Sequence, residues 1–173
     1  MSLCASSVQL CVPLFSAKGG PMSLKWRILY LLARCYWRIF KPLTLGVKLM
    51  LIEDEAIWLV QHSYQPGWFL PGGGVKRNEL LETAVRREAH EELGAQLKEV
   101  KLFGVYTNDS QYKNDHVVVF VSHRFTIGQT DKAEIRAVQK FPLAQLPADL
   151  SRGTRRRIEE FVNGRTQPEA GIW

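Results

Sequence analysis

From Leu43 to Ile52 the chain reads LTLGVKLMLI, apolar except at Thr44, Gly46 and Lys48. A short β-compatible run of this kind predicts a strand. Ala56 to Gln61 predicts a second strand, and Glu53-Asp54-Glu55 between them reads as a hairpin turn. Gln65-Pro66-Gly67 is a further turn, and Pro71-Gly72-Gly73-Gly74 predicts a flexible, exposed loop. Glu79 to Leu93 carries a helical period and stops at Gly94, a residue suited to the left-handed position after a helix. Strands are expected at Leu97–Thr107 and His116–Thr126, joined by the polar connection Asn108–Asp115. Glu134–Phe141 reads as a last strand, Pro142–Leu146 as a short turn and Ser151–Val162 as a terminal helix. The predicted order is α+β, a mixed sheet sandwiched between helices.

Upstream, Ser23 to Lys41 predicts an N-terminal amphipathic helix, with Ser23 placed to cap it and Pro42 ending it. Ile28, Leu31, Leu32, Cys35 and Ile39 form an apolar stripe. Arg27, Arg34, Arg38 and Lys41 form a basic one. Two roles stay open for residues 23–41. One is peripheral contact with an anionic membrane surface; the other is packing on its own domain or on a second subunit, as in a homodimer. Charges recur too often for a spanning helix. Residues 1–21 read as a disordered leader, with Met22 as an alternative start. The apolar stretch Val8–Phe15 lacks the basic n-region of a signal peptide.

Composition narrows the class. At 173 residues, 46% hydrophobic and 23% charged, the chain is an ordinary globular protein of one domain. Whole-chain disorder, collagen-like and coiled-coil architectures are excluded. The net charge of +6 sits in residues 1–52, which hold seven Lys or Arg and no acid. The rest is nearly neutral, so no specific nucleic-acid partner is expected, although Arg155-Arg156-Arg157 is a local basic cluster. Cys4, Cys11 and Cys35 are few and scattered. They argue against a disulfide framework or zinc site and for a reducing compartment. The expected location is cytoplasmic, at the inner membrane face if residues 23–41 bind lipid.

The candidate chemistry lies in residues 73–95, GGVKRNELLETAVRREAHEELGA. Glu88, Glu91 and Glu92 stand at i, i+3 and i+4 and share one helix face. Leu81, Val85, Glu88 and Glu92 form one line, so a face that begins as core ends in carboxylates. Like charges so placed need compensation, and a bound divalent cation supplies it. Oxygen-only ligands select a hard ion, Mg²⁺ or Mn²⁺. The Gly72-Gly73-Gly74 loop lets backbone approach a phosphate, and Arg87 can pair with a carboxylate. No Gly-Lys-Ser/Thr follows, so this is not a Walker A loop.

Gly73, five residues, Glu79, seven residues, then Arg87-Glu88-Ala89-His90-Glu91-Glu92-Leu93-Gly94-Ala95 resembles the Nudix box, G-x5-E-x7-R-E-U-x-E-E-x-G-U, where U is aliphatic. Alanine fills both U positions. Pro42–Val47, Gly67–Gly74 and Asn114–Val117 extend the resemblance over residues 42–163. It implies the Nudix α/β/α sandwich, a domain at 42–165 and a tail at 166–173. It implies hydrolysis of a diphosphate linkage, typically in a nucleoside diphosphate linked to another moiety, and a small nucleotide-type substrate. Glu88 and Glu92 would be metal ligands and Glu91 a ligand or general base, with Gly73 at the metal. Arg87 would orient the carboxylates, and Glu79 would support the loop. Glu134 falls where many members carry a functional acid; the other reading is a surface residue before a strand. Trp68 either stacks on a base or plugs the structure. His116 and His123 read as core or surface histidines, and Tyr112 is a weak pointer to dinucleoside polyphosphates. The alternative to an enzyme is a catalytically idle Nudix module that binds a nucleotide or protein.

Overall fold

The computed structural model describes residues 43–173 apart from 109–113 and 130–132. The expectations for residues 1–21, the amphipathic helix at 22–41 and Tyr112 fall outside the described residues. Strands β1 (Leu43–Glu53) and β2 (Ala56–His62) are followed by helix α1 (Leu81–Leu93), then β3 (Gln96–Leu97) and β4 (Lys101–Asn108). Next come β5 (Asn114–Ser122), β6 (Phe125–Thr126), β7 (Ile135–Pro142), helix α2 (Arg152–Val162) and β8 (Glu169–Ile172). Among the described residues no helix is long and apolar enough to cross a membrane.

Six strands form one mixed sheet in the order β7-β2-β1-β5-β4-β8. At its centre β1 runs parallel to β5, from Leu43 opposite Asn114 to Leu51 opposite Ser122. Alternation along β1 sends Val47, Leu49 and Leu51 into a cluster with Ala84, Val85, Ala89 and Leu93 of α1. It sends Met50 and Ile52 into a second cluster with Ile158 of α2. The result is the expected α/β/α sandwich, and burial on both faces explains why β1 and β5 are nearly continuous apolar runs. In β4 the register shifts between Leu102 and Gly104. That irregularity lets Phe103 and Tyr106, three positions apart, face the same cluster.

The β1–β2 hairpin turns through Asp54 (φ 51°) and Glu55 (φ 56°), the left-handed pair of a type I′ turn. The two strands pair directly only at Ile52–Ile57 and Glu53–Ala56. Beyond that they part, and residues 69–75 are bonded to both. Phe69 exchanges bonds with Val60, at 2.9 and 3.0 Å. Val47 N–H donates to Gly73 O (2.9 Å), Leu49 N–H to Pro71 O (3.0 Å) and Val75 N–H to Leu45 O (3.0 Å). The expectation of a flexible, exposed loop at 71–74 is therefore corrected. Pro71 and Gly72 are buried, because their backbone is part of the sheet; Gly74 alone is exposed.

Other boundaries also move. The helix begins at Leu81 rather than Glu79, because Asn78 (φ 61°) and a turn from Lys76 to Glu79 precede it. The expected strand at 97–107 divides into β3 and β4, and that at 116–126 into β5 and β6. The short pieces β3 and β6 pair with each other. Residues 166–173, read as a tail, contain β8, which pairs parallel with β4 from Gly104–Glu169 to Thr107–Ile172.

What holds β8 is a polar knot on α2. Arg157, 3% exposed, donates to Ile172 O (3.1 Å) and to Glu160 Oε1 (2.6 Å), and lies 3.7 Å over the Tyr106 ring. Tyr106 donates to Glu160 Oε2 (3.0 Å), which Arg165 also engages (2.6 Å). Burial, followed by the Glu160 carboxylate, pushes the Tyr106 phenol up to about 12. Gly153 has no Cβ because the Trp173 indole nitrogen lies 2.1 Å from where one would sit. Deleting residues 169–173 strips Arg157 of a buried carbonyl partner, a loss of about 1–3 kcal/mol. We expect thermal unfolding of the truncated chain to begin roughly 5 °C or more lower. An unchanged transition would show β8 to be an ornament.

Candidate active site

The site is built where α1 faces the inserted segment. The helix begins at Leu81, after Leu80 in extended backbone, and closes at Gly94 (φ 60°). The N–H groups of Gly94 and Ala95 return to His90 O and Ala89 O. A Cβ at Gly94 would lie 2.3 Å from Gln129 O, so the left-handed turn and the close approach both require glycine. Between these ends the helix buries Ala84, Val85, Glu88, Ala89, Glu92 and Leu93. Two carboxylates thus occupy core positions, with Glu88 at 6% and Glu92 at 3% exposure. The Glu91 side chain, at 38%, stands at the rim.

Each buried carboxylate has a defined partner. Gly72 N–H donates to Glu92 Oε2 at 2.8 Å. Arg87 Nη1 donates to Glu88 Oε1 at 2.6 Å and lies 3.5 Å from Glu91. The same guanidinium grips Glu79 through Nε (2.8 Å) and Nη2 (2.9 Å) and reaches Gly74 O (3.0 Å). Glu79 in turn accepts the Lys76 N–H at 2.8 Å. The hydrogen bonds from Arg87, then that from Lys76, hold the Glu79 carboxyl down at about 2. The bond to Glu79 raises Arg87 above its ordinary value, against the effect of burial.

The glycines are not equivalent. Gly72 has φ 129°, and a Cβ there would meet Val47 O at 2.2 Å. At Gly73 a Cβ would meet Glu88 Oε1 at 2.7 Å, so the bare backbone is what lets that carboxylate lie against the loop. At Gly74 nothing lies within 4 Å, and the backbone there is open to an incoming group.

Of the residues singled out by sequence, the structure brings together Gly72, Gly73, Gly74, Glu79, Arg87, Glu88, Glu91 and Glu92. Trp68 lies elsewhere. Its ring packs edge-on against Phe141 (4.8 Å, 74°) in the cluster beneath α2, and its backbone is bonded to Asp149 and Ser151. That packing is what the plug reading expects. Glu134 is exposed just before β7, its carbonyl accepting the Ser63 N–H (2.8 Å), and its side chain takes no part in the Arg87 network. His123 lies tilted by 34° against Phe161 at 5.9 Å, and His116 is half-buried in β5. Lys48 was missed: its Nζ donates to Leu70 O (3.0 Å) and Gly72 O (2.8 Å). The signal was a lone cation inside an apolar run.

Among the described residues no three His, Cys, Asp or Glu side chains converge as a finished metal cage. The donors nevertheless suit a small hard cation, which takes one or two carboxylates and completes its shell with water and substrate oxygens. Glu88 and Glu92 supply two carboxylates one turn apart. The glycine cradle against Glu88 leaves no side chain between them and the loop. The Gly73 carbonyl already accepts the Val47 N–H.

A family model described as the NUDIX domain matches residues 42–161. An ADP-ribose pyrophosphatase of Methanocaldococcus jannaschii is 33% identical over 116 residues, 64% of this chain and 69% of that protein. An RNA pyrophosphohydrolase of Haemophilus influenzae is 35% identical over 74 residues, 43% of this chain. The chain spans 37% of the length of that relative, and 37% of a rat diphosphoinositol polyphosphate phosphohydrolase that is 34% identical over 67 residues, 39% of this chain. The crystal structure of a MutT NUDIX hydrolase from Burkholderia pseudomallei superposes with a TM-score of 0.63 at 29% identity, covering 68% of this chain and 97% of that one. A NUDIX hydrolase from Nitrosomonas europaea gives 0.62 at 22% identity, over 75% and 78%, a likeness of fold.

Gly72→Ala forces a positive φ on alanine and a clash with β1 backbone, and should cost more than about 3 kcal/mol in urea unfolding. Gly74→Ala should stay within about 0.5 kcal/mol, and Gly73→Ala should fold with the Glu88 carboxylate displaced. Equal effects at 72 and 74 would refute the inserted-strand account. Glu79 has a depressed folded pKa. Its contribution is full above about pH 4.5, the ordinary value, and disappears as pH falls through about 2. The stability difference between wild type and Glu79→Gln should therefore shrink steadily from pH 5 to pH 2, measured by chemical denaturation. A difference that stays constant across that range would rule out the ion pair as its source.

Proposed function

The chain belongs to the Nudix family, and on that premise we propose that it is a hydrolase of phosphoric anhydride bonds. Its substrate is a small nucleotide-type molecule, a nucleoside diphosphate linked to another moiety. The observation that carries this reading is the pair of core carboxylates, Glu88 and Glu92, held against a glycine loop by Arg87 and the Gly72 amide. A fold with no use for buried like charges has no reason to keep them at core positions.

Divalent metal ions serve the family generally, and we assign Mg²⁺ here, with Mn²⁺ as a substitute. Glu88 and Glu92 would hold the ion, with Glu91 and the Gly73 backbone as further oxygen donors nearby, and it would supply charge neutralisation at the phosphoryl oxygens and a lowered pKa for bound water. The chain's own part is positioning. The open backbone at Gly74 admits a phosphate oxygen. Arg87 fixes the rotamers of Glu79 and Glu88. Glu91, the most accessible of the three acids, takes the proton of the attacking water; Glu134 is the second candidate for that role.

The test is a hydrolysis screen over nucleoside triphosphates, dinucleoside polyphosphates, nucleotide sugars, ADP-ribose and capped RNA. Activity should vanish on chelation and return with Mg²⁺. Glu92→Gln keeps an oxygen to accept the Gly72 N–H, so it should fold normally while losing roughly 100-fold or more in kcat/KM. A folded Glu92→Gln enzyme with full turnover would remove the metal assignment. A chain inert to the whole screen would support the idle module instead.

A further inference from the structure

Lys48 lies in the central strand β1, on the side of Met50 and Ile52 rather than of Val47 and Leu49. A half-buried ammonium in that strand is costly unless its donors are satisfied. Two of them bind carbonyls of the inserted segment, Leu70 O at 3.0 Å and Gly72 O at 2.8 Å. These two carbonyls flank one amide, the Gly72 N–H, which donates to Glu92 Oε2 at 2.8 Å. The Leu70 peptide is also fixed from α2, because Leu70 N–H donates to Thr154 Oγ1 at 3.3 Å. Gly72 sits at φ 129°, a conformation open to glycine and strained for any other residue. The Leu49 N–H holds the Pro71 carbonyl from β1, and the ammonium holds the carbonyls on either side of it.

We propose that Lys48 is a positioning residue for the carboxylate site: by binding the carbonyls of Leu70 and Gly72 it holds the Gly72 amide against Glu92. It acts through one peptide segment on the rotamer of a carboxylate on α1. This inference deepens the reading of the site as a metal-dependent diphosphate hydrolase and rests on it for its functional meaning. The geometric part stands without it. The Pro71 carbonyl still accepts the Leu49 N–H, so loss of the charge releases the carbonyls on either side of that peptide and misaligns the Gly72 N–H bond to Glu92 Oε2. The carboxylate is then less well prepared for a cation.

The experiment uses the full chain and compares Lys48→Met, Lys48→Gln and Lys48→Arg with wild type. The primary readout is the Gly72 amide in ¹H–¹⁵N spectra, by chemical shift and by hydrogen exchange. The second is the affinity for Mn²⁺ alone, by electron paramagnetic resonance. In Lys48→Met we expect the Gly72 proton to move upfield and exchange at least tenfold faster, and Mn²⁺ to bind about tenfold more weakly, the usual scale for losing a support of a metal ligand. Lys48→Arg, which can still bridge two carbonyls, should recover most of both. If Lys48→Met does not fold, Lys48→Gln answers the same question. An unmoved Gly72 amide in a folded, uncharged variant overturns the proposal, as does a shift in melting temperature with Mn²⁺ affinity unchanged. If wild type binds no Mn²⁺, the metal reading fails instead, and the Gly72 amide still decides whether Lys48 sets the peptide.

Discussion

The planar guanidinium of Arg87 is the piece on which the arrangement around α1 rests. Glu88 and Glu92 are buried one turn apart, with Glu91 beside them at the rim. Such like-charged neighbours destabilise a helix even in water, and burial makes the cost larger. Arg87 offsets part of that cost at a fixed point. It meets Glu79 with two nitrogens, Glu88 with a third contact and Gly74 O with a fourth. A lysine would bring the charge without the fork, and so would not tie loop, turn and helix in one plane. Because the guanidinium keeps its proton at any working pH, this tie loosens only where acid begins to protonate its Glu79 partner.

The second half of the arrangement comes from the sheet. A hairpin that parts after two residue pairs leaves backbone groups on β1 and β2 in need of partners, and residues 69–75 supply them. The segment that carries the glycines is thereby as rigid as a strand, though its composition is that of a loop. Its two sides then face different layers. Leu70 and the Lys48 ammonium belong to the side of α2, while the Gly72 amide and the Glu88 contact at Gly73 belong to the side of α1. A site on one face is thus braced from the other.

Much of this was legible from residues alone. The i, i+3, i+4 spacing of Glu88, Glu91 and Glu92 placed them on one face, and the line from Leu81 through Val85 marked that face as core. Gly94 announced the helix end, and Glu53-Asp54-Glu55 the hairpin. What was not legible depended on distant partners. Glycine content suggested exposure at 71–74, but burial there is decided by Val47 and Leu49 reaching across. The face taken by Trp68 is decided by the backbone of 149–151, some eighty positions later. Strand β8, EAGI, has no alternation to reveal it and is held by Arg157 on its backbone, by Arg165 on its Glu169 carboxylate and by the neighbouring Trp173.

The parallel pairing of β1 with β5 has a consequence for how the molecule comes into being. Leu43 finds its neighbour at Asn114, so the centre of the sheet cannot close until most of the domain has been synthesised. Loop closure over such a span must precede any reward from the contact, which makes assembly slow and leaves apolar strands uncovered meanwhile. On the ribosome, the emerging β1–β2 hairpin and α1 would wait as a half-formed layer until the VVVFV strand arrives.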